Sequence, residues 1–134
     1  MIVQKLVERL ESAGFDVYSY VWVNGLEIDV LALEHGFDRS YVYIYEVKSR
    51  AKPKLVKQVY NRIGLADYIY VVVPARLYPW VIKRLEPSIG VVFYLSGDLF
   101  IFRQAGFIGN GARVLEFLKH ADFRAFPVMV GQET

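Results

Sequence analysis

The sequence predicts an α/β fold: a central mixed β-sheet flanked by helices. Three observations lead to it. Apolar residues recur at helical spacing at the start of the chain and again after Pro53. Between those two helices lie three β-branched and aromatic runs, joined by short segments rich in turn formers. A fourth run, Asp67–Val73, is almost continuously apolar, as expected of a strand covered on both faces.

Each element has a local reason. Ile2–Ala13 carries Ile2, Val3, Leu6, Val7 and Leu10 along one helical stripe, and Gly14 ends it. Phe15–Val23 alternates as a strand does. Asn24-Gly25 is a favoured two-residue hairpin turn, leading into a strand over Leu26–Leu33. Glu34–Ser40 reads as a polar loop with Gly36, and Tyr41–Lys48 as the next strand. Pro53 suits a first helical turn. Leu55, Val56, Val59, Tyr60 and Ile63 then form an apolar stripe, with Lys54, Lys57, Gln58, Asn61 and Arg62 on the other side and Gly64 at the end. Strand Tyr68–Val73 completes a right-handed β-α-β unit, and Pro74 ends it. A helix at Leu77–Leu85, strands Gly90–Leu95 and Leu99–Arg103, a loop from Gly106 to Gly111 and a helix over Ala112–His120 complete the reading. In the tail, Phe126, Val128, Met129 and Val130 are apolar enough to dock, for instance on a second subunit.

The chain has 134 residues, 54% apolar and 22% charged, which predicts one domain with a real core and excludes a disordered chain. No apolar run approaches the ~18 residues of a membrane span, so no membrane partner is expected. The start, Met1-Ile2-Val3-Gln4-Lys5, lacks the order of a signal peptide, so a cytoplasmic location is expected. There is no cysteine, which excludes disulfides, thiolate metal sites and a cysteine nucleophile. His35 and His120 are single and far apart, so a histidine-based metal site is not expected.

The residues suited to chemistry lie on two neighbouring strands. Leu26–Leu33 carries Glu27 and Asp29; Tyr41–Lys48 carries Glu46 and Lys48. Alternation puts Glu46 and Lys48 on one face, and Glu27 with Asp29. Asp29 lies between Ile28 and Val30, which predicts a sheet interior, where an unpaired carboxylate is costly. The bland alternatives are a turn carboxylate for Asp29 and an edge-strand pair that discourages aggregation for Glu46 and Lys48. Phosphodiester hydrolysis needs charge neutralisation at phosphorus and an activated water. Mg²⁺ or Mn²⁺ provides both and takes hard oxygen ligands. Asp29 and Glu46 would supply carboxylates and Val47 a backbone carbonyl. Lys48 would orient the water or stabilise developing charge. From Val47 to Ala66 there are six basic residues and no acid, which suits a polyanion; alone, such a run reads as a solvated helix face.

This arrangement resembles the PD-(D/E)xK nuclease superfamily, which includes restriction-endonuclease-like and archaeal Holliday-junction-resolvase-like proteins. The residues that carry the resemblance are Asp29 in GLEIDVLAL and Glu46-Val47-Lys48 in YIYEVKSR, with Glu46 17 residues after Asp29. An amphipathic helix precedes them and a β-α-β unit follows, so the resemblance covers roughly the first 74 residues. It implies a restriction-endonuclease-like αβββαβ core and Mg²⁺- or Mn²⁺-dependent hydrolysis of DNA, with Asp29 and Glu46 as metal ligands and Lys48 as the catalytic lysine. Ile28 stands where the family name has proline. Many resolvase-like members add a helix-one glutamate at the metal. Glu8 is the candidate here; Glu11 is the other acid, and Gln4 lies nearer the expected position. Gln58 resembles the glutamine of the QxxxY motif of the RecB-like branch, with Arg62 in place of tyrosine, and would position water or phosphate. Arg50, Lys52, Lys54, Lys57 and Arg62 are the expected phosphate contacts. The expected protein is a structure-specific DNA nuclease of repair or recombination, acting as a homodimer. The alternatives are a catalytically inactive member that binds nucleic acid or supports an assembly, and an RNA-processing nuclease on the same fold. Gly106-Phe107-Ile108-Gly109-Asn110-Gly111 lacks the Lys-Ser/Thr of a phosphate loop and reads as a flexible loop.

Overall fold

A computed structural model of the chain describes residues 2–50 and 52–120. Its elements are α1 (Ile2–Ser12), β1 (Asp16–Val23), β2 (Leu26–His35), β3 (Ser40–Val47), α2 (Pro53–Arg62), β4 (Tyr68–Pro74), α3 (Trp80–Arg84), β5 (Gly90–Leu95), β6 (Asp98–Arg103) and α4 (Ala112–His120). The strands form one six-stranded mixed sheet in the order of the sequence. β1, β2 and β3 run antiparallel; β3, β4 and β5 are parallel; β6 returns antiparallel to β5. The C-terminal ends of β3, β4 and β5 therefore lie at one end of the sheet, together with the β1–β2 hairpin turn.

Two apolar layers cover the sheet. On one face Leu6, Val7 and Leu10 of α1 pack with Val17, Val30, Ala32, Tyr45, Tyr70 and Val72. On the other, Leu55 and Val59 of α2, Val81 of α3 and Val114 of α4 pack with Ile28, Leu31, Val42, Ile44, Ile69 and Val71. β4 feeds both layers, which is why its sequence is apolar almost without interruption. Each fully buried valine of β4 contributes about 1.5–3 kcal/mol of apolar transfer free energy. Tyrosines reinforce the α1 face: Tyr43 stacks on Tyr68 at 4.6 Å and Tyr45 on Tyr70 at 5.0 Å between ring centroids.

Some local expectations change. The helix expected over Leu77–Leu85 divides into a 3-10 turn at Ala75–Leu77 and the shorter α3, because Pro79 lacks the N–H an unbroken helix requires. β3 stops at Val47, so Lys48 lies just beyond the strand, although its N–H still reaches Val72 O at 3.0 Å. The loop from Gly106 to Gly111, expected to be flexible, is tethered. Ile108 N–H donates to Asp67 O (2.7 Å), Asn110 N–H to Ala66 O (2.9 Å) and Gly111 N–H to Asp67 Oδ1 (3.1 Å). Asp67 is fully buried and also accepts from Val42 N–H (2.8 Å) and Arg39 Nη2 (2.7 Å). A β-carbon at Gly111 would collide with that carboxylate, which gives this glycine a packing role. No helix among the described residues is long and apolar enough to cross a membrane. The tail residues Phe126, Val128, Met129 and Val130 lie outside the described residues.

Candidate metal and phosphate site

Asp29 and Glu46 meet where the β2–β3 ladder ends. The last paired residues are Val30 and Tyr45. One step further, side chains replace backbone carbonyls: Val47 N–H donates to Asp29 Oδ2 at 2.8 Å, and Asp29 N–H donates to Glu46 Oε2 at 3.3 Å. A local irregularity in the sheet accompanies this. β1 pairs Ser19 with Val30 and Val21 with Ile28, so the register is the same on both sides of Tyr20 and Asp29, but Tyr20 has a φ of 54°. Ile28 and Leu31 belong to the α2-side layer and Val30 to the α1-side layer, so side-chain alternation slips across Asp29. Counting by twos from Glu27 therefore does not give the side of Asp29. Glu27 is exposed, and its carbonyl accepts from Arg62 Nη2 at 2.8 Å.

Glu46 is 1% exposed, on the strand face that carries Val42 and Ile44. Burial, helped by the charge of Asp29, pushes its carboxyl up to about 7, against opposing pulls from Arg62, the Asp29 N–H and Lys48. Asp29 is half-buried. Asp29 Oδ1 and Glu46 Oε1 are the carboxylate oxygens outside these two contacts. The N–H and C=O of one strand residue face the same neighbour, so the Val47 carbonyl faces the side from which Asp29 approaches. These oxygens are a hard donor set that fits a small divalent cation. The fit has two limits. Among the described residues, no three Asp, Glu, His or Cys side chains gather into a ligand group. Arg62 Nε also already lies 3.2 Å from Glu46 Oε2.

Arg62 departs most from its expected place. Instead of meeting phosphate at the surface, it is 7% exposed beneath α2. Nη1 donates to Gln58 O at 2.7 Å and Nη2 to Glu27 O. Its Nε pairs electrostatically with Glu46 without hydrogen-bond alignment. The sequence hint is faint: a long polar residue one turn after Gln58, on a helix end facing a strand that carries a glutamate.

The other candidates separate into two places. Lys48, Ser49, Arg50, Lys52, Lys54 and Gln58 line one cleft of about 410 Å³, with Lys48 and Gln58 half-buried and the rest of the cations exposed. Lys57 is exposed and outside that cleft. Glu8 does not join Asp29 and Glu46. It is exposed on α1, accepts from Gln4 Nε2 at 3.4 Å, and borders a depression with Lys5, Arg9 and the β5–β6 turn. Glu11 is exposed near the end of α1. A residue that sequence reasoning passes over is Arg76, whose Nη2 donates to Ser49 O at 2.7 Å and so braces the cleft from the end of β4.

No family model matches this chain, and no curated protein matches it. In fold it is similar to the solved structure of a protein of unknown function from Silicibacter pomeroyi. The two share 21% identity over 92% of this chain and 86% of that one, with a TM-score of 0.66.

Proposed function

We propose that this chain is a Mg²⁺- or Mn²⁺-dependent nuclease of the PD-(D/E)xK type that hydrolyses phosphodiester bonds in DNA on a restriction-endonuclease-like core. The observation that carries the reading is the meeting of Asp29 and Glu46 at the end of the β2–β3 ladder, with Lys48 beside them and a basic cleft adjoining. A bound divalent ion supplies charge neutralisation at the phosphate and a more acidic water. Asp29, Glu46 and the Val47 carbonyl are the groups that would hold it. The Lys48 ammonium would stand over the phosphate oxygens and stabilise their developing charge. Gln58, across the cleft, would orient water or phosphate. Lys52, Lys54 and Arg50 would bind flanking phosphates. A cytoplasmic location belongs to the same proposal. So does a homodimer, supported by the edge strand β6 with Ile101 exposed; light scattering that finds only monomer at high concentration removes it.

The test is Asp29→Ala assayed with Mn²⁺ on junction, duplex and single-stranded DNA, and on RNA. Cleavage should vanish while the circular dichroism spectrum is kept. Cleavage at the wild-type rate in that variant sinks the assignment.

One observation favours a second reading. Glu46 is buried and already paired with Arg62, an arrangement that neutralises the carboxylate without a metal. In that reading the chain is a nuclease-fold protein that binds nucleic acid or supports an assembly without cleaving. Calorimetric titration with Mn²⁺ separates the two: saturable binding lost in Asp29→Ala supports the nuclease, and no binding supports the inactive form.

A further inference from the structure

We propose that the surface running from the basic cleft to the aromatic cluster beside β5 and β6 is a platform for single-stranded nucleic acid. Phosphates are held by the cleft and bases stack on Tyr78, Phe100 and Phe102. The proposal builds on the nuclease reading for its choice of a polynucleotide as ligand.

The aromatic half is a built surface. Phe93 is 3% exposed and anchors it. Against it pack Phe102 at 5.3 Å, Phe100 at 6.3 Å and Tyr78 at 6.3 Å, and Tyr78 lies 5.4 Å from Phe102. Phe100 and Phe102 both touch Phe93 and so share one face of β6. The three outer rings are exposed at 54% for Tyr78, 43% for Phe100 and 50% for Phe102. A contiguous exposed apolar patch of this kind marks an interaction site. Rigid rings on a sheet edge are suited to planar partners.

The identity of the partner follows from charge. The aromatic cluster sits at the end of the sheet that also carries the basic cleft. β3, which leads into the cleft, and β6, which carries Phe100 and Phe102, are three strand spacings apart, about 14 Å. Arg76 links the two halves: its guanidinium holds Ser49 O in the cleft wall, and Tyr78 follows two residues later. From Val47 to Leu85 there are nine basic residues and one acid, Asp67, which is fully buried and paired with Arg39. A second copy seated on this aromatic face, as distinct from one paired along the β6 edge, would bring like charge towards the basic cleft, at an electrostatic cost. A polyanion carrying π-faces satisfies both halves together. In a duplex the base faces are consumed by stacking on each other, so exposed rings select the unpaired strand.

Fluorescence anisotropy in EDTA tests this without cleavage, using labelled oligothymidylate and a duplex of equal length. Wild type should bind the single strand more tightly than the duplex. Phe102→Ala should weaken single-strand binding about tenfold and leave the slope of affinity against salt unchanged. Lys52→Gln should lower that slope by about 0.7. Both residues are at the surface, and a thermal melt of each variant checks folding. Equal single-strand affinity in Phe102→Ala and wild type overturns the proposal, as does a preference for duplex. Sedimentation in which Phe102→Ala turns a dimer into a monomer while single-strand binding persists assigns the face to a second copy and also overturns it. Failure of the nuclease reading looks different: wild type with Mn²⁺ cleaves nothing, yet single-strand binding still depends on Phe102.

Discussion

Glu46 binds its proton more tightly in the fold than in the open chain, and this has a measurable consequence. Its carboxyl moves from 4.5 to about 7, chiefly through burial. A raised folded value means that its contribution to stability is complete below about pH 4.5 and is lost as pH rises through 7. The loss is on the order of 3 kcal/mol, because the fold favours the protonated carboxyl by that much over the ionised one. Urea midpoints of the metal-free protein should therefore fall between pH 5 and pH 8, and Glu46→Gln should flatten that fall. A slope unchanged in the variant would assign the effect to other groups. Arg62 sits on the same balance. Arg62→Met removes the cation beside a buried carboxylate and leaves two carbonyls without their donor. The expected loss is about 3–5 kcal/mol at pH 8. It should shrink at pH 5, where Glu46 is neutral; denaturation at the two pH values checks the difference.

Among the elements, those specified by neighbouring residues are legible in the sequence. The β1–β2 hairpin follows from Asn24-Gly25, and α2 starts at Pro53 as its composition requires. The helix after β4 is shorter than its pattern suggests because apolar spacing continues across Pro79 while hydrogen bonding does not. The loop before α4 departs from expectation for another reason: its composition permits flexibility, and Asp67, distant in sequence but in contact with the loop, removes it. Gly111→Ala tests that tether. The new methyl has no room against the Asp67 carboxylate, so about 1–3 kcal/mol of stability should be lost. Hydrogen exchange should rise at Ile108 and Asn110, whose N–H groups the tether protects. Unchanged exchange there would detach Asp67 from loop order.

For the whole molecule, the sheet order explains why the candidate site lies at one end of the sheet. Three parallel strands deliver their C-terminal ends to the same side, and the antiparallel β2 returns Asp29 to meet them. A ligand that binds there only in the folded state must stabilise the whole cooperative unit. With Mn²⁺ at one hundred times its dissociation constant, the gain is about 2.7 kcal/mol. Thermal melts should show a higher midpoint for wild type with Mn²⁺ and no change for Asp29→Ala. A rise of equal size in both proteins would place the ion elsewhere.

The sequence by itself determined the strands and most helices, and it singled out Asp29, Glu46 and Lys48 as a group. Alternation, turn composition and proline act within a few residues, and strand pairing then brings β2 beside β3. Only the tertiary structure decided that Arg62 turns inward to Glu46 and that Glu8 stands away from the pair. It also decided that Tyr78, Phe100 and Phe102 gather around the buried Phe93. Burial and charge pairing depend on which distant elements arrive at the same place. A polar residue on a helix reads the same in sequence whether it meets water or a buried carboxylate.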